Sequence, residues 1–167
     1  MAKRKSSGKF SKQDEYFMRL AIGKAMQGIK KGQTPFGACI VKKGRAISCE
    51  HNIVWQSTDI TAHGEICAIR SACKALKSID LSGCTIYSTC EPCPMCFAAC
   101  HWAGIDKIIY GAEIKDANKA GFNELKISNN EMKKKGKSTV KIQKDLLSSE
   151  CKKLFDEWEK ANKSKIY

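Results

Sequence analysis

Strand-forming and helix-forming segments alternate along this chain, and that order restricts it to few architectures. Ser11 with Asp14 three residues on reads as a capping box. Tyr16, Phe17, Leu20, Ala21, Ile22, Met26 and Ile29 then mark an amphipathic helix to about Lys30, which Gly32 ends. Gly37 to Val41 and Ala46 to Asn52 are short β-rich runs around Lys42-Lys43-Gly44, a hairpin signal in which glycine can supply positive φ. Helical spacing returns from Glu65 to about Lys77, in Ile66, Ile69, Ala72, Cys73 and Leu76. A strand is expected from Cys84 to Ser88, a helix from Pro94 to Ala103 with proline at its first position, and a strand from Ile105 to Tyr110. Val140 to Ile142 forms another strand, and Ser149 to about Asn162 a last helix with Leu154, Phe155 and Trp158 inward. Strands separated by helices call for parallel pairs with helices on both faces, so the expected fold is α/β, a three-layer α/β/α sandwich. Segment 113–138 gives no firm pattern, since Lys133-Lys134-Lys135-Gly136 reads equally as a helix end or an exposed loop.

A length of 167 residues suits one domain, and 43% hydrophobic with 28% charged residues excludes collagen-like, disordered and membrane-spanning classes. No repeat or flexible linker divides the chain. We expect a single domain over 12–162, a disordered basic tail at 1–11 and a short tail at 163–167. The first nine residues, Met1 to Lys9, have basic side chains but no apolar stretch of the kind a signal peptide needs. A reducing cytoplasm is therefore expected, where ten cysteines serve more often as buried small hydrophobes, metal ligands or nucleophiles than as bridges.

The net charge of +13 invites a nucleic-acid reading until it is divided along the chain. Residues 1–34 carry nine basic and two acidic side chains, for +7, and residues 126–167 carry twelve and six, for +6. Residues 35–125 carry nine of each, so the middle is neutral.

The neutral middle holds the chemistry. Cys93 and Cys96, three apart at the first turn of a helix, can face one point, and a helix N-terminus favours their thiolates. With the imidazole of His63 they form a donor set suited to Zn²⁺, and three protein ligands leave the fourth tetrahedral position for water, as catalytic sites do. Zinc lowers the pKa of such a water to about 7, and Glu65, two residues from His63, is placed to take its proton and deliver it to the substrate. Neither fragment is specific alone; the combination of His63-x-Glu65 with Pro92-Cys93-x-x-Cys96 carries the reading. A rival exists. Cys90, Cys93, Cys96 and Cys100 also match the Cys-x₂-Cys-x₂-Cys-x₃-Cys spacing of an iron–sulfur electron carrier, although residue 101 is His where that run has proline and no second run follows. The zinc reading expects Cys100 to pack one turn beyond Cys96, and Cys90 to end a strand.

His63-Gly64-Glu65 with Thr89-Cys90-Glu91-Pro92-Cys93-Pro94-Met95-Cys96 resembles the signature of the zinc-dependent cytidine deaminase superfamily. The resemblance extends to Thr34-Pro35-Phe36-Gly37-Ala38, Glu50-His51-Asn52, Ala117 to Glu124 and the terminal helix, roughly residues 13–160. It implies a mixed five-stranded sheet between helices, one zinc ion, hydrolytic release of an exocyclic amine as ammonia, and a homodimer. Within the superfamily, Pro35-Phe36-Gly37, the Cys90–Cys96 run, Trp102 and Ala120-Gly121-Phe122 look most like guanine deaminases, which convert guanine to xanthine. By that resemblance Asn52 hydrogen-bonds the base, Phe36 and Trp102 wall its faces, and Glu124 stands where the family carries a second acid. The chain departs from the family in having Gly64 where alanine is usual and Glu124 where aspartate is usual. Plainer readings stand beside these: Asn52 as a turn former, Trp102 as core, Glu124 as a loop acid, Phe36 as packing. A tRNA adenosine deaminase is the main competitor, favoured by the net charge; against it, the basic excess is lysine, whereas bidentate base or phosphate recognition prefers arginine. A cytosine deaminase is third.

Overall fold

The computed structural model describes residues 10–162 and 166–167. Its elements are α1 (Lys12–Lys30), β1 (Gly37–Lys42), β2 (Arg45–His51), α2 (Val54–Ser57), α3 (Gly64–Leu76), β3 (Cys84–Cys90), α4 (Pro94–Trp102), β4 (Lys107–Ala112), α5 (Ile114–Lys119), α6 (Asn129–Gly136), β5 (Lys141–Gln143) and α7 (Ser148–Asn162). Most of the expected tail at 1–11 lies outside the described residues; Phe10 packs on the core, and Ser11 caps α1 in a complete capping box with Asp14. The β1–β2 turn places Lys43 and Gly44 at φ 48° and 72°, the left-handed pair a two-residue hairpin needs.

The five strands form one mixed sheet in the order β2-β1-β3-β4-β5. β1 runs antiparallel to β2 and β3, while β3–β4 and β4–β5 are parallel. Alternation along the strands divides the core into two layers. Cys39, Val41, Tyr87 and Ile109 face α1 and α7, meeting Phe17, Met18 and Ala25 of the first and Leu154, Phe155 and Trp158 of the second. Ala38, Ile40, Ile86 and Ile108 face the opposite way, toward Ala68 and Ala72 of α3 and Phe97 and Cys100 of α4. The architecture is thus the α/β/α sandwich with the mixed sheet.

Segment 113–138 resolves into α5 and α6, with Ser128 and Glu131 forming a capping box that starts α6. The lysine run is the last turn of α6, where cations complement the helix dipole. One cysteine expectation needs qualification: Cys39 and Cys49 pair across β1–β2 and are disulfide-bonded, while the other eight are free. No helix among the described residues is long and apolar enough to cross a membrane.

Candidate active site

Two helices begin at one end of the sheet, and their caps carry metal donors. His63 is the N-cap of α3, and Cys93, three residues past the end of β3, is the N-cap of α4. Both have extended backbone and neither uses its side chain to cap, so both side chains are free for other work. His63 Nδ1 lies 3.6 Å from Cys93 Sγ and 3.5 Å from Cys96 Sγ. Zinc–sulfur and zinc–nitrogen bonds of about 2.3 and 2.0–2.1 Å in a tetrahedron separate S and N by about 3.6 Å, so the donor set fits zinc. These three residues are the group of such donors that the fold gathers within ligating reach, among the described residues.

The iron–sulfur alternative fails on the same geometry. Cys90 belongs to the core layer under α1 and α7 and donates to the Glu113 carbonyl, whereas Cys100 is buried in the opposite layer. The sheet therefore keeps Cys90 and Cys100 on opposite faces, and the four sulfurs of that run do not meet at one cluster.

The electrostatics suit a thiolate site. A hydrogen bond from the Cys96 thiol, with His63 adding to it, holds Cys93 at about 4 despite burial. Cys96 is correspondingly raised, through that same bond and burial. Burial alone would lower the pKa of His63, but its contact with Cys93 and the nearby carboxylates of Glu65 and Glu124 outweigh it, and the net shift is upward. Glu65, in the first turn of α3, is 6% exposed and accepts a hydrogen bond from Ser88 Oγ at 3.0 Å. Burial raises its carboxyl, which suits a group that must both take and give a proton.

A cavity of about 290 Å³ opens on His63 and Cys93, walled by Ile60, Met95, Asn123, Glu124, Leu125 and Tyr167. Burial pushes the Glu124 carboxyl up to about 7, with the Cys93 thiolate adding to the effect. Asn52 is fully buried at the end of β2; its Oδ1 accepts from Val54 N at 3.0 Å, and its Nδ2 donates to the Tyr167 hydroxyl at 2.5 Å. Phe36 hydrogen-bonds Asn52 through the backbone and packs its ring on Phe122, with centroids 4.9 Å apart.

Trp102 is not brought to this cavity by its own chain. It ends α4 with 83% of its surface exposed, nearly two turns from Met95 at the cavity mouth. Tyr167, by contrast, was to be expected in a tail and instead stands over the metal donors, its ring 5.7 Å from that of His63 and 5.9 Å from that of Phe122. No spacing in the sequence ties it to the motifs. Ser88 is a second residue that motif reading passes over, though a signal exists: it is the polar residue on the β3 face otherwise occupied by Cys84 and Ile86.

Residues 11–112 match the family model described as the cytidine and deoxycytidylate deaminase zinc-binding region. A guanine deaminase from Bacillus subtilis is 46% identical over 111 residues, covering 66% of this chain and 71% of that protein. A tRNA-specific adenosine deaminase from Buchnera aphidicola is 34% identical over 145 residues, covering 87% and 93%. Among solved structures, a guanine deaminase from Nitrosomonas europaea superposes with a TM-score of 0.81 at 26% identity, over 87% of this chain and 84% of that one. One from a study of A-to-I editing at the wobble position of transfer RNA does so with a TM-score of 0.74 at 32% identity, over 83% and 98%. With the metal donors, the mixed sheet and these matches in agreement, the chain belongs to the zinc-dependent cytidine and deoxycytidylate deaminase family, hydrolases that release the exocyclic amine of a cyclic amidine.

Proposed function

We propose that the protein deaminates a free nucleobase, converting guanine and water to xanthine and ammonia. The observation that carries this reading is Tyr167, which stands over His63 and is held by Asn52. It forms one wall of the cavity of about 290 Å³, which is at the small end of ligand pockets, about 300–1,000 Å³. A cavity of that size suits a free base better than a base still attached to ribose and phosphate. The likeness to the Bacillus guanine deaminase supports the same substrate.

His63, Cys93 and Cys96 would hold a zinc ion, whose Lewis acidity would let a water be deprotonated near neutral pH. Glu65 takes the first proton of that water and passes it to ring N3 as a C–O bond forms at C2, with Ser88 steadying its carboxylate. Glu124, protonated up to about pH 7, gives a proton to the amine as the C–N bond breaks. The second water proton replaces the one Glu124 spends, so the two protons end on N3 and on ammonia. Tyr167 lines the cavity beside the base, and the buried Asn52 amide holds its hydroxyl, with the Phe36 carbonyl fixing Asn52 in turn. The apolar strip of α4 that includes Met95 and Trp102 offers the face of a homodimer.

A tRNA adenosine deaminase is the second reading, favoured by Lys133, Lys134 and Lys135 on the last turn of α6 and by the Buchnera relative. Zinc-loaded protein incubated separately with guanine, adenine, cytosine, their nucleosides and tRNA, with ammonia measured, decides between them. Release from guanine alone is expected; release from tRNA but not guanine would replace the substrate and keep the mechanism.

A further inference from the structure

We infer that Glu91 is a positioning residue, a clamp that holds both ends of segment 114–129 so that Glu124 faces the metal donors. The inference rests on the reading of Glu124 as a group of the active site. Glu91 follows β3 directly and precedes the Pro92-Cys93 turn, and its side chain is buried. One carboxylate oxygen accepts from Ile114 N at 3.2 Å, at the start of α5. The other accepts from Asn129 N at 2.8 Å, at the start of α6. The fifteen intervening steps of chain, which carry Phe122, Asn123 and Glu124, thus leave from and return to a single side chain two residues from a metal ligand.

Asn129 closes the loop. It is fully buried and donates from Nδ2 to the Pro92 carbonyl at 2.6 Å, tying the far end of the segment to the turn that bears Cys93. Glu91 N itself donates to the Ala112 carbonyl at 2.8 Å, which fixes the clamp to the end of β4. Metal turn and segment 114–129 therefore move as one body, and the distance from Glu124 to the substrate is set through Glu91.

Glu91→Gln tests this, because glutamine keeps one acceptor oxygen and replaces the other with a donor that cannot face an N–H. In apo and zinc-loaded protein alike, amide exchange at Ile114 or Asn129 should quicken by about tenfold or more, the equivalent of one lost buried hydrogen bond, while amides in β1 and β3 keep their rates. Uniformly faster exchange, or none, overturns the clamp. Kinetically, kcat should fall about tenfold with KM for guanine little changed. In a Glu124→Gln background the same change should cost almost nothing further. Equal losses in both backgrounds overturn the link to Glu124 even where the exchange result stands. Full activity of Glu124→Gln alone would instead remove Glu124 from the proposed mechanism, leaving the exchange experiment to judge the clamp. If Glu91→Gln does not fold, Asn129→Ser severs the Pro92 bond alone and should give the same kinetic pattern more weakly.

Discussion

Glu65 and Glu124 are two carboxylates whose burial raises both pKa values, yet their surroundings separate their tasks. Glu65 has a fixed partner in Ser88 and lies against Cys96, whereas Glu124 hangs from a loop at the cavity wall. Glu65→Gln should retain zinc, by elemental analysis, and lose about 10²–10⁴ in kcat, the usual worth of a placed acid–base group; retained turnover would defeat its role. For Glu124 the sign follows from the shift. A carboxyl raised to about 7 is protonated, and able to donate, below that pH, and loses the proton as pH rises through it. The kcat profile should therefore fall above about pH 7, and Glu124→Gln should lower kcat and flatten that limb. Gly64 gives a third test. A Cβ there would lie 3.2 Å from the Phe36 carbonyl and 3.5 Å from Asn52 N, the two groups that bond each other at 3.0 Å. Gly64→Ala should leave the metal in place and raise KM for the base a few-fold, by moving Asn52. The residues around the metal were legible because ligand spacing is local to two helix starts. Tyr167 was not, because its place depends on a long-range contact with Asn52 that leaves no mark in spacing.

Among the elements, those fixed by local chemistry could be read to within a few residues. The Ser11–Asp14 box starts α1, the Lys43-Gly44 pair turns the hairpin, and proline opens α4. Helices α5 and α6 show less, since they have few apolar positions; beyond the local Ser128–Glu131 box of α6 they are held by Glu91, which takes both helix starts, and by Lys144, which meets Glu113 at 2.9 Å. Such partners come from distant parts of the chain and follow no period. The docking of α7 depends on another absence of pattern, a glycine inside β4. A Cβ on Gly111 would stand 2.8 Å from Cys151 Cβ, nearer still to its sulfur, and 2.9 Å from the Leu146 carbonyl. Gly111→Ala should push α7 away from the sheet and cost about 1–3 kcal/mol, as overpacking of a close-fitted core does. Urea unfolding of the purified variant would measure it. An unchanged midpoint would mean that α7 shifts freely. Because Phe155 and Trp158 of α7 support Phe122, and Phe122 supports Phe36, the same variant should also weaken base binding.

Across the whole molecule, charge and chemistry are kept apart with one exception. The span 35–125 is neutral and supplies His63, Cys93, Cys96, Glu65, Asn52 and Glu124, while the excess of +13 lies in the segments on either side. Tyr167 crosses that division: it belongs to the basic segment 126–167 and stands in the cavity. Whether a polyanion drawn to the lysines of α6 and α7 enters the pocket or only gathers outside it is a measurable difference. Lysine contacts to phosphate release counterions, so such binding weakens steeply with salt. Fluorescent tRNA should bind at about 50 mM salt and largely dissociate by about 200 mM. If the substrate is a free base, saturating tRNA at the lower salt leaves guanine turnover unchanged, because Tyr167 still covers the donors and the phosphates contact only the outer lysines. Competitive inhibition of guanine turnover by tRNA, accompanied by inosine in the recovered RNA, would show that the basic segment opens the pocket to a flipped base. The charge would then be part of substrate recognition.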